Sequence, residues 1–262
     1  MKRLFVTADD LGRGVETNVA IERCVQRGIV TGCSLIANGS AVGDARARKG
    51  SVGAIGLHLN LTEGKALIGP IRGLTDARGT FKGPIRAMIA TLFGRVDLDR
   101  VRRELDAQCA RAIELGFTLV AIDGHHHAHV FPGVFPLVAE IAVRHGIRVV
   151  RMPHEPALTG HPGARGKRAI LSTLCGEAAP IAAQVGLDTP EHFRGLSLYG
   201  RRSDHRSHLL RVLERLPEGD TELMVHPRAG ILGEHECGSL TDVVVRATLD
   251  RHRVTLATLR DL

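Results

Sequence analysis

The stretch Thr118-Leu-Val-Ala-Ile-Asp123-Gly-His125-His126-His127-Ala-His129 decides how this chain is read. A short, apolar, β-rich run delivers a carboxylate and four imidazoles into one loop. If the loop continues strand-like, side chains alternate, so Asp123, His125, His127 and His129 are predicted on one face and His126 on the other. Neutral imidazole is the commonest metal ligand, and a nearby carboxylate can fix its tautomer. The face is therefore predicted to bind a metal. The cluster is interior and is interrupted by Ala128, which argues against a purification tag.

Working outward, the same arrangement recurs. Arg3 to Ala8 reads as a buried strand that ends in Asp9-Asp10-Leu11-Gly12. Two adjacent carboxylates repel unless a cation or shared proton relieves them. Ala54 to Asn60 reads as a strand with His58 near its end, Ile147 to Arg151 as one closing on Arg151, and Thr221 to Pro227 as one ending at His226. Helices are predicted between them: Val15 to Gln26 closed by Gly28, Ala41 to Arg48, Pro84 to Leu92, a helix capped by Asp97 or Asp99 that runs to Leu115, Val134 to His145, Arg168 to Val185, Asp204 to Leu216 and Leu240 to Arg251. A second strand is expected at Ser34 to Asn38, a short one around Arg194 to Gly200, and a final one at Arg253 to Ala257. Thr62 to Gly83 and the Pro- and Gly-rich stretch up to Lys167 read as loops.

Strands alternate with helices throughout, which predicts a parallel sheet covered by helices. The candidate residues fall at C-terminal strand ends, where a (β/α) barrel builds its active site. The fold class expected is therefore α/β, a distorted (β/α) TIM-like barrel, with residues 1–262 as a single domain. A doubly wound open sheet is the competing architecture. There is no GxGxxG after a strand and no GxxxxGK[ST], so nucleotide-cofactor readings lack support.

Composition narrows the function classes. Of 262 residues, 44% are hydrophobic but only 3% aromatic, so the core must be built from aliphatic side chains. The net charge of +7 comes without a block of like charge or an aromatic-interleaved basic stripe, which argues against specific nucleic-acid binding. The five cysteines, at 24, 33, 109, 175 and 237, are odd in number and contain no CxxC pair, as in a reducing compartment. No apolar run reaches 18 residues, so no membrane span is expected. The apolar run after Lys2-Arg3 is too short for a signal peptide. Cytoplasmic localisation is the expectation.

Thr7-Ala-Asp-Asp-Leu-Gly12, Gly56-Leu-His-Leu-Asn-Leu61, Asp123-Gly-His-His-His-Ala-His129 with Val130-Phe-Pro132, and Val225-His-Pro227 together resemble the motif set of the YdjC-like carbohydrate deacetylases. The resemblance runs from about residue 3 to about residue 227 and keeps motif order and spacing. Leu11 stands where that family usually has Phe, and Gly124 where Ser is common. The uninterrupted His125-His126-His127 leans towards the chitooligosaccharide branch and away from the hopanoid-associated one.

The resemblance implies a barrel related to polysaccharide deacetylases. It implies one divalent metal ion, Mg or Zn foremost, held by Asp10, His58 and His125, with Asp9 as catalytic base and His226 as general acid. The face argument leaves His127 and His129 as rivals to His125 or as substrate contacts. Asp123 would orient a histidine, and Arg151 would hold Asp9 or the sugar. The implied substrate is a small carbohydrate with an acetamido group, and a homodimer is possible. The rival readings are a hopanoid-pathway deacetylase, a phosphoesterase on the same fold, and a sugar-binding protein without catalysis.

Overall fold

The computed structural model describes residues 1–156, 165–198, 204–228 and 231–262. In chain order the elements are β1 (Lys2–Leu11), α1 (Val15–Arg27), β2 (Gly32–Leu35), α2 (Val42–Ala47), β3 (Ala54–Leu59), α3 (Pro84–Leu92), α4 (Leu98–Glu114), β4 (Leu119–Gly124), α5 (Phe135–Arg144), β5 (Val149–Val150), α6 (Arg165–Gln184), β6 (His192–Arg194), α7 (His205–Glu214), β7 (Gly219–Val225), α8 (Ile231–Leu240), α9 (Val243–Arg251) and β8 (Val254–Leu256).

All strand pairs are parallel, in the order β5-β4-β3-β2-β1-β7-β6. β1 is buried from Leu4 onward and lies inside the sheet, between β2 and β7. β8 pairs with its first residues, Lys2 to Leu4, while β2 pairs with the later ones. Among the described residues no ladder joins β5 to β6; a single bridge between Val149 and Asp188 crosses that side. The architecture is thus a half-closed parallel (β/α) barrel, distorted where the strands at its edges are only two and three residues long.

Local chemistry explains most element boundaries. Asp97, not Asp99, caps α4 by accepting from the backbone N–H of Arg100 at 3.1 Å. α4 buries Val101, Leu105, Cys109 and Ala112 as one stripe, the 3.6-residue pattern of a core-facing helix. Gly28 closes α1, and the position admits no side chain because a Cβ there would meet the Leu240 carbonyl oxygen at 2.4 Å. Asp242 accepts from the Val244 N–H and starts a new helix. The helix expected over Leu240 to Arg251 is thus α9, starting three residues later, whereas α8, which ends at Leu240, was not anticipated. The strand expected around Arg194 to Gly200 is instead His192–Arg194, with residues 199–200 outside the described residues; of the loop read up to Lys167, residues 157–164 also lie outside them, and Arg165 to Lys167 already belong to α6. The long segment 62–83 is tied down by the buried Glu104, which accepts from the backbone N–H groups of Leu67 and Ile68, both at 3.0 Å.

The five cysteines are free and buried. Cys24 on α1 and Cys237 on α8 face each other with sulfurs 3.1 Å apart. Among the described residues no helix is long and apolar enough to cross a membrane.

Candidate functional site

The C-terminal ends of β1, β3, β4 and β7 converge on one polar pocket, lined by Asp9, Asp10, His58, His125, His226 and Arg228 among others. β1 delivers two adjacent carboxylates to it, although plain alternation would send them to opposite faces. The register with β2 shifts between Ala8 and Leu11, and Asp10 takes a left-handed conformation with φ of 75°. Such an irregularity re-aims side chains at a strand end.

His58 and Asp123 are cross-strand partners in the β3–β4 register, and His58 Nδ1 lies 2.6 Å from Asp123 Oδ1. The same carboxylate oxygen accepts from the Ser34 hydroxyl at 2.6 Å. With Nδ1 engaged, His58 presents Nε2 to the pocket, 3.7 Å from Asp10 Oδ1. His125 presents Nδ1, 2.9 Å from the same oxygen.

The strand-like alternation expected beyond Asp123 does not occur. Residues His125–Val130 form a 3₁₀ turn broken by left-handed His126 and His127, with φ of 55° and 62°. His125, not the whole odd-numbered set, therefore meets Asp10 and His58. His126 turns to Thr62, its Nδ1 2.9 Å from the hydroxyl. His127 is buried beside the pocket with its ring edge-on to Phe193 at 6.2 Å. His129 points away, its Nε2 3.0 Å from the Arg151 carbonyl oxygen. Gly124 makes this turn possible: a Cβ there would meet the His129 backbone nitrogen at 2.8 Å and its Cβ at 2.9 Å.

Arg151, just beyond β5, is fully buried. It grips both Asp9 oxygens at 2.8 Å, reaches Asp123 Oδ2 at 2.8 Å, and donates to Glu222 Oε1 through Nε and Nη2. His226 Nε2 lies 3.7 Å from Asp9 Oδ2. Its backbone N–H donates to the buried Glu236 at 2.6 Å. Glu222, Glu236, Ser34 and Glu63 were missed at the sequence level. Glu222 carried a signal, since Glu222, Met224 and His226 share one face of β7 by strand parity; Ser34 and Glu236 carried none.

The electrostatics are those of a site short of positive charge. Asp9, Asp123 and Glu222 are all buried around the Arg151 guanidinium, and buried Asp10 has instead the more distant Arg13, at 3.3 Å. Burial raises the Asp10 carboxyl, but contact with His125 and the charges of His125, His226 and His58 overcome it and hold it well below its ordinary value. Burial would lower His125, yet Asp10 and Glu63 lift it to about 9. Glu222 is raised, by burial first, against the pull of Arg151. His226 falls to about 4, again by burial first. In short, His125 gathers a proton where a cation would serve the same carboxylates.

The donor set fits a metal ion. Donor atoms of Asp10, His58 and His125 lie within 4.8 Å of one another. Ligands about 2.0–2.2 Å from a tetrahedral ion stand roughly 3.3–3.6 Å apart, and the observed 2.9 and 3.7 Å bracket that span. Asp10 Oδ1 is buried without a well-aligned hydrogen-bond donor despite its two imidazole neighbours. Such an orphaned acceptor suits a cation. A second candidate group, Asp9 with His58 and Asp123, suits one less, because Arg151 already occupies both carboxylates.

The chain is similar to known proteins along nearly its whole length. The "Carbohydrate deacetylase" of Mus musculus is 37% identical, over 99% of this chain and 94% of that protein. A crystal structure from Enterococcus faecalis, described as a putative cellobiose-phosphate cleavage protein, superposes with a TM-score of 0.80 at 20% identity, covering 99% of this chain and 98% of that one. A mutant CE4-family pseudoenzyme with restored enzymatic activity gives a TM-score of 0.52 at 11% identity, over 100% of this chain and 67% of that one. These structural likenesses show the fold alone, a polysaccharide-deacetylase-like half-barrel. The model of the family described as "YdjC-like protein" matches residues 3–251, nearly the whole length, and the chain belongs to that family.

Proposed function

We propose that this protein is a metal-dependent carbohydrate deacetylase, with residues 1–262 acting as one unit that hydrolyses the acetamido group of an N-acetylated amino sugar. The observation that carries the reading is the buried cluster of Asp10, His58 and His125 beside a separate carboxylate, Asp9. The name borne by the mouse relative supports the substrate class. Asp10, His58 Nε2 and His125 Nδ1 would hold one divalent ion, which would polarise the acetyl carbonyl and stabilise the negative charge forming on its oxygen. Two nitrogens and one oxygen suit zinc, manganese, iron or cobalt better than magnesium.

Asp9 accepts the proton of the attacking water, with both its oxygens fixed by Arg151. His226 faces it at 3.7 Å and serves the leaving nitrogen. A histidine lowered to about 4 is neutral near pH 7 and begins turnover without a proton to give. The proton removed from water is then the source for the one His226 delivers. Asp123, itself held by the Ser34 hydroxyl, fixes the His58 ring, and His127 and Lys167 border the space for the sugar. A non-catalytic binding module would need no such base and acid pair.

Metal analysis together with acetate release from N-acetylglucosamine oligomers tests the reading. Stoichiometric metal with acetate release supports it; phosphate release from sugar phosphates without acetate release would replace it by the phosphoesterase reading. One observation favours a second substrate class, a lipid-linked amine such as a hopanoid. An apolar cleft lined by Ile85, Met88, Phe131, Ile170 and Leu174 adjoins the pocket through His126 and Lys167. Faster acetate release from an amphiphilic N-acetylglucosaminide than from the free oligomer would favour it. Cytoplasmic location and a homodimer complete the proposal; size-exclusion chromatography with light scattering checks the latter.

A further inference from the structure

The loop after β3 places a second carboxylate against His125. Glu63 Oε2 lies 3.1 Å from His125 Nε2, the ring nitrogen opposite the one facing Asp10. Arg13 clamps Glu63 from behind, with Nε 3.0 Å from Oε1 and Nη2 2.9 Å from Oε2, and its remaining Nη1 reaches Asp10 Oδ2 at 3.3 Å. The turn that carries Glu63 is itself fixed. Asn60 Oδ1 accepts from the Thr62 and Glu63 N–H groups, and Asn60 Nδ2 donates to the Glu63 carbonyl. Gln108, buried on α4, bonds both the N–H and the carbonyl of Asn60. The carboxylate is therefore delivered by a rigid turn, although its own side chain remains 43% exposed.

We propose that Glu63 is the positioning residue for His125, holding the proton on Nε2 so that the Nδ1 lone pair faces Asp10 and His58. It matches the role of Asp123 at His58 with the ring nitrogens exchanged: Asp123 holds Nδ1 and frees Nε2, whereas Glu63 holds Nε2 and frees Nδ1. Each imidazole then has one carboxylate behind it and one free donor atom in front. A carboxylate partner of this kind fixes the ring's orientation and makes the free nitrogen a stronger donor. The inference rests on Asp10, His58 and His125 being the metal donors.

The test is zinc affinity of the metal-free protein, measured by chelator competition with stoichiometry, for wild type, Glu63→Gln and Glu63→Ala. The expected result is one zinc per chain throughout, with affinity about 10–100-fold weaker in Glu63→Ala. Glu63→Gln should fall between, since its amide oxygen still accepts from Nε2–H but carries no charge. The melting temperature of the metal-free protein should fall only slightly in both, because the ion pair with Arg13 is partly exposed. Equal zinc affinity in all three proteins would overturn the role of Glu63 while leaving the metal site standing. A wild type that binds two zinc ions, one of them lost in Glu63→Ala, would make Glu63 a ligand with His125 and His126 and also overturn it. No zinc binding by wild type would overturn this inference and the metal reading together, an outcome distinct from the other two.

Discussion

Arg151 and Asp9 form a two-pronged ion pair across the top of the sheet, Nη1 to Oδ2 and Nη2 to Oδ1, both at 2.8 Å. The partners lie 142 residues apart in sequence, at the ends of an edge strand, β5, and an interior strand, β1. Arg151 also bonds Asp123 and Glu222, so one guanidinium holds three buried carboxylates. Arg151→Met should therefore cost about 3–5 kcal/mol of stability, the usual penalty for leaving buried charges unpartnered. Arg151→Lys keeps the charge but loses the planar fork and should be intermediate. Urea denaturation measures both, and a loss under 1 kcal/mol for the Met variant would show that the carboxylates find other partners.

Asp9→Asn removes the proposed proton acceptor while keeping size and part of the Arg151 contact. Turnover should drop about 10²–10⁴-fold with bound metal retained. Acetate release and metal content measured on the same sample separate the two, and near-normal turnover would reject Asp9 as the base.

His58→Ala acts on the other half of the site. It removes a donor atom facing Asp10 and leaves Asp123 with Ser34 and Arg151. Metal affinity should fall by more than the about 10–100-fold cost of losing an outer partner, and activity with it. Elemental analysis after dialysis checks this; full metal occupancy would remove His58 from the donor set.

Glu236 gives the fold a pH dependence. Burial raises its carboxyl from 4.5 to about 7, despite the hydrogen bond from the His226 N–H. The folded protein then holds a proton that the unfolded chain gives up near 4.5. Its contribution is fully present below that pH and is lost as pH rises through about 7. Glu236→Gln should flatten the fall in melting temperature between about pH 5 and 7. A wild-type profile that the variant reproduces would show that Glu236 is not its source.

Gly124→Ala places a methyl group against the His129 backbone, where the nearest atoms would be 2.8 and 2.9 Å away. Overpacking of this kind costs about 1–3 kcal/mol, and here the strain lands on the turn that carries His125. Both stability and zinc affinity should fall. A variant of unchanged affinity would show that the turn yields elsewhere.

The sequence by itself determined the alternation of parallel strands and helices, because buried strands are short aliphatic runs and helices carry their own caps and stripes. It also placed Asp9, Asp10, His58, His125, Arg151 and His226 at strand ends, which in a parallel sheet must share one face. Only the tertiary structure decided which histidine of 125 to 129 meets Asp10. Strand parity offered His125, His127 and His129 equally, and left-handed turns at His126 and His127 broke that parity. The same holds for Glu63, Glu222 and Glu236: a carboxylate in a loop or helix has no periodic signature that says which distant imidazole or guanidinium it will touch. Pairings of this kind arise from closure of the sheet, which brings together residues as distant in sequence as Asp9 and His226, and local propensity carries no information about them.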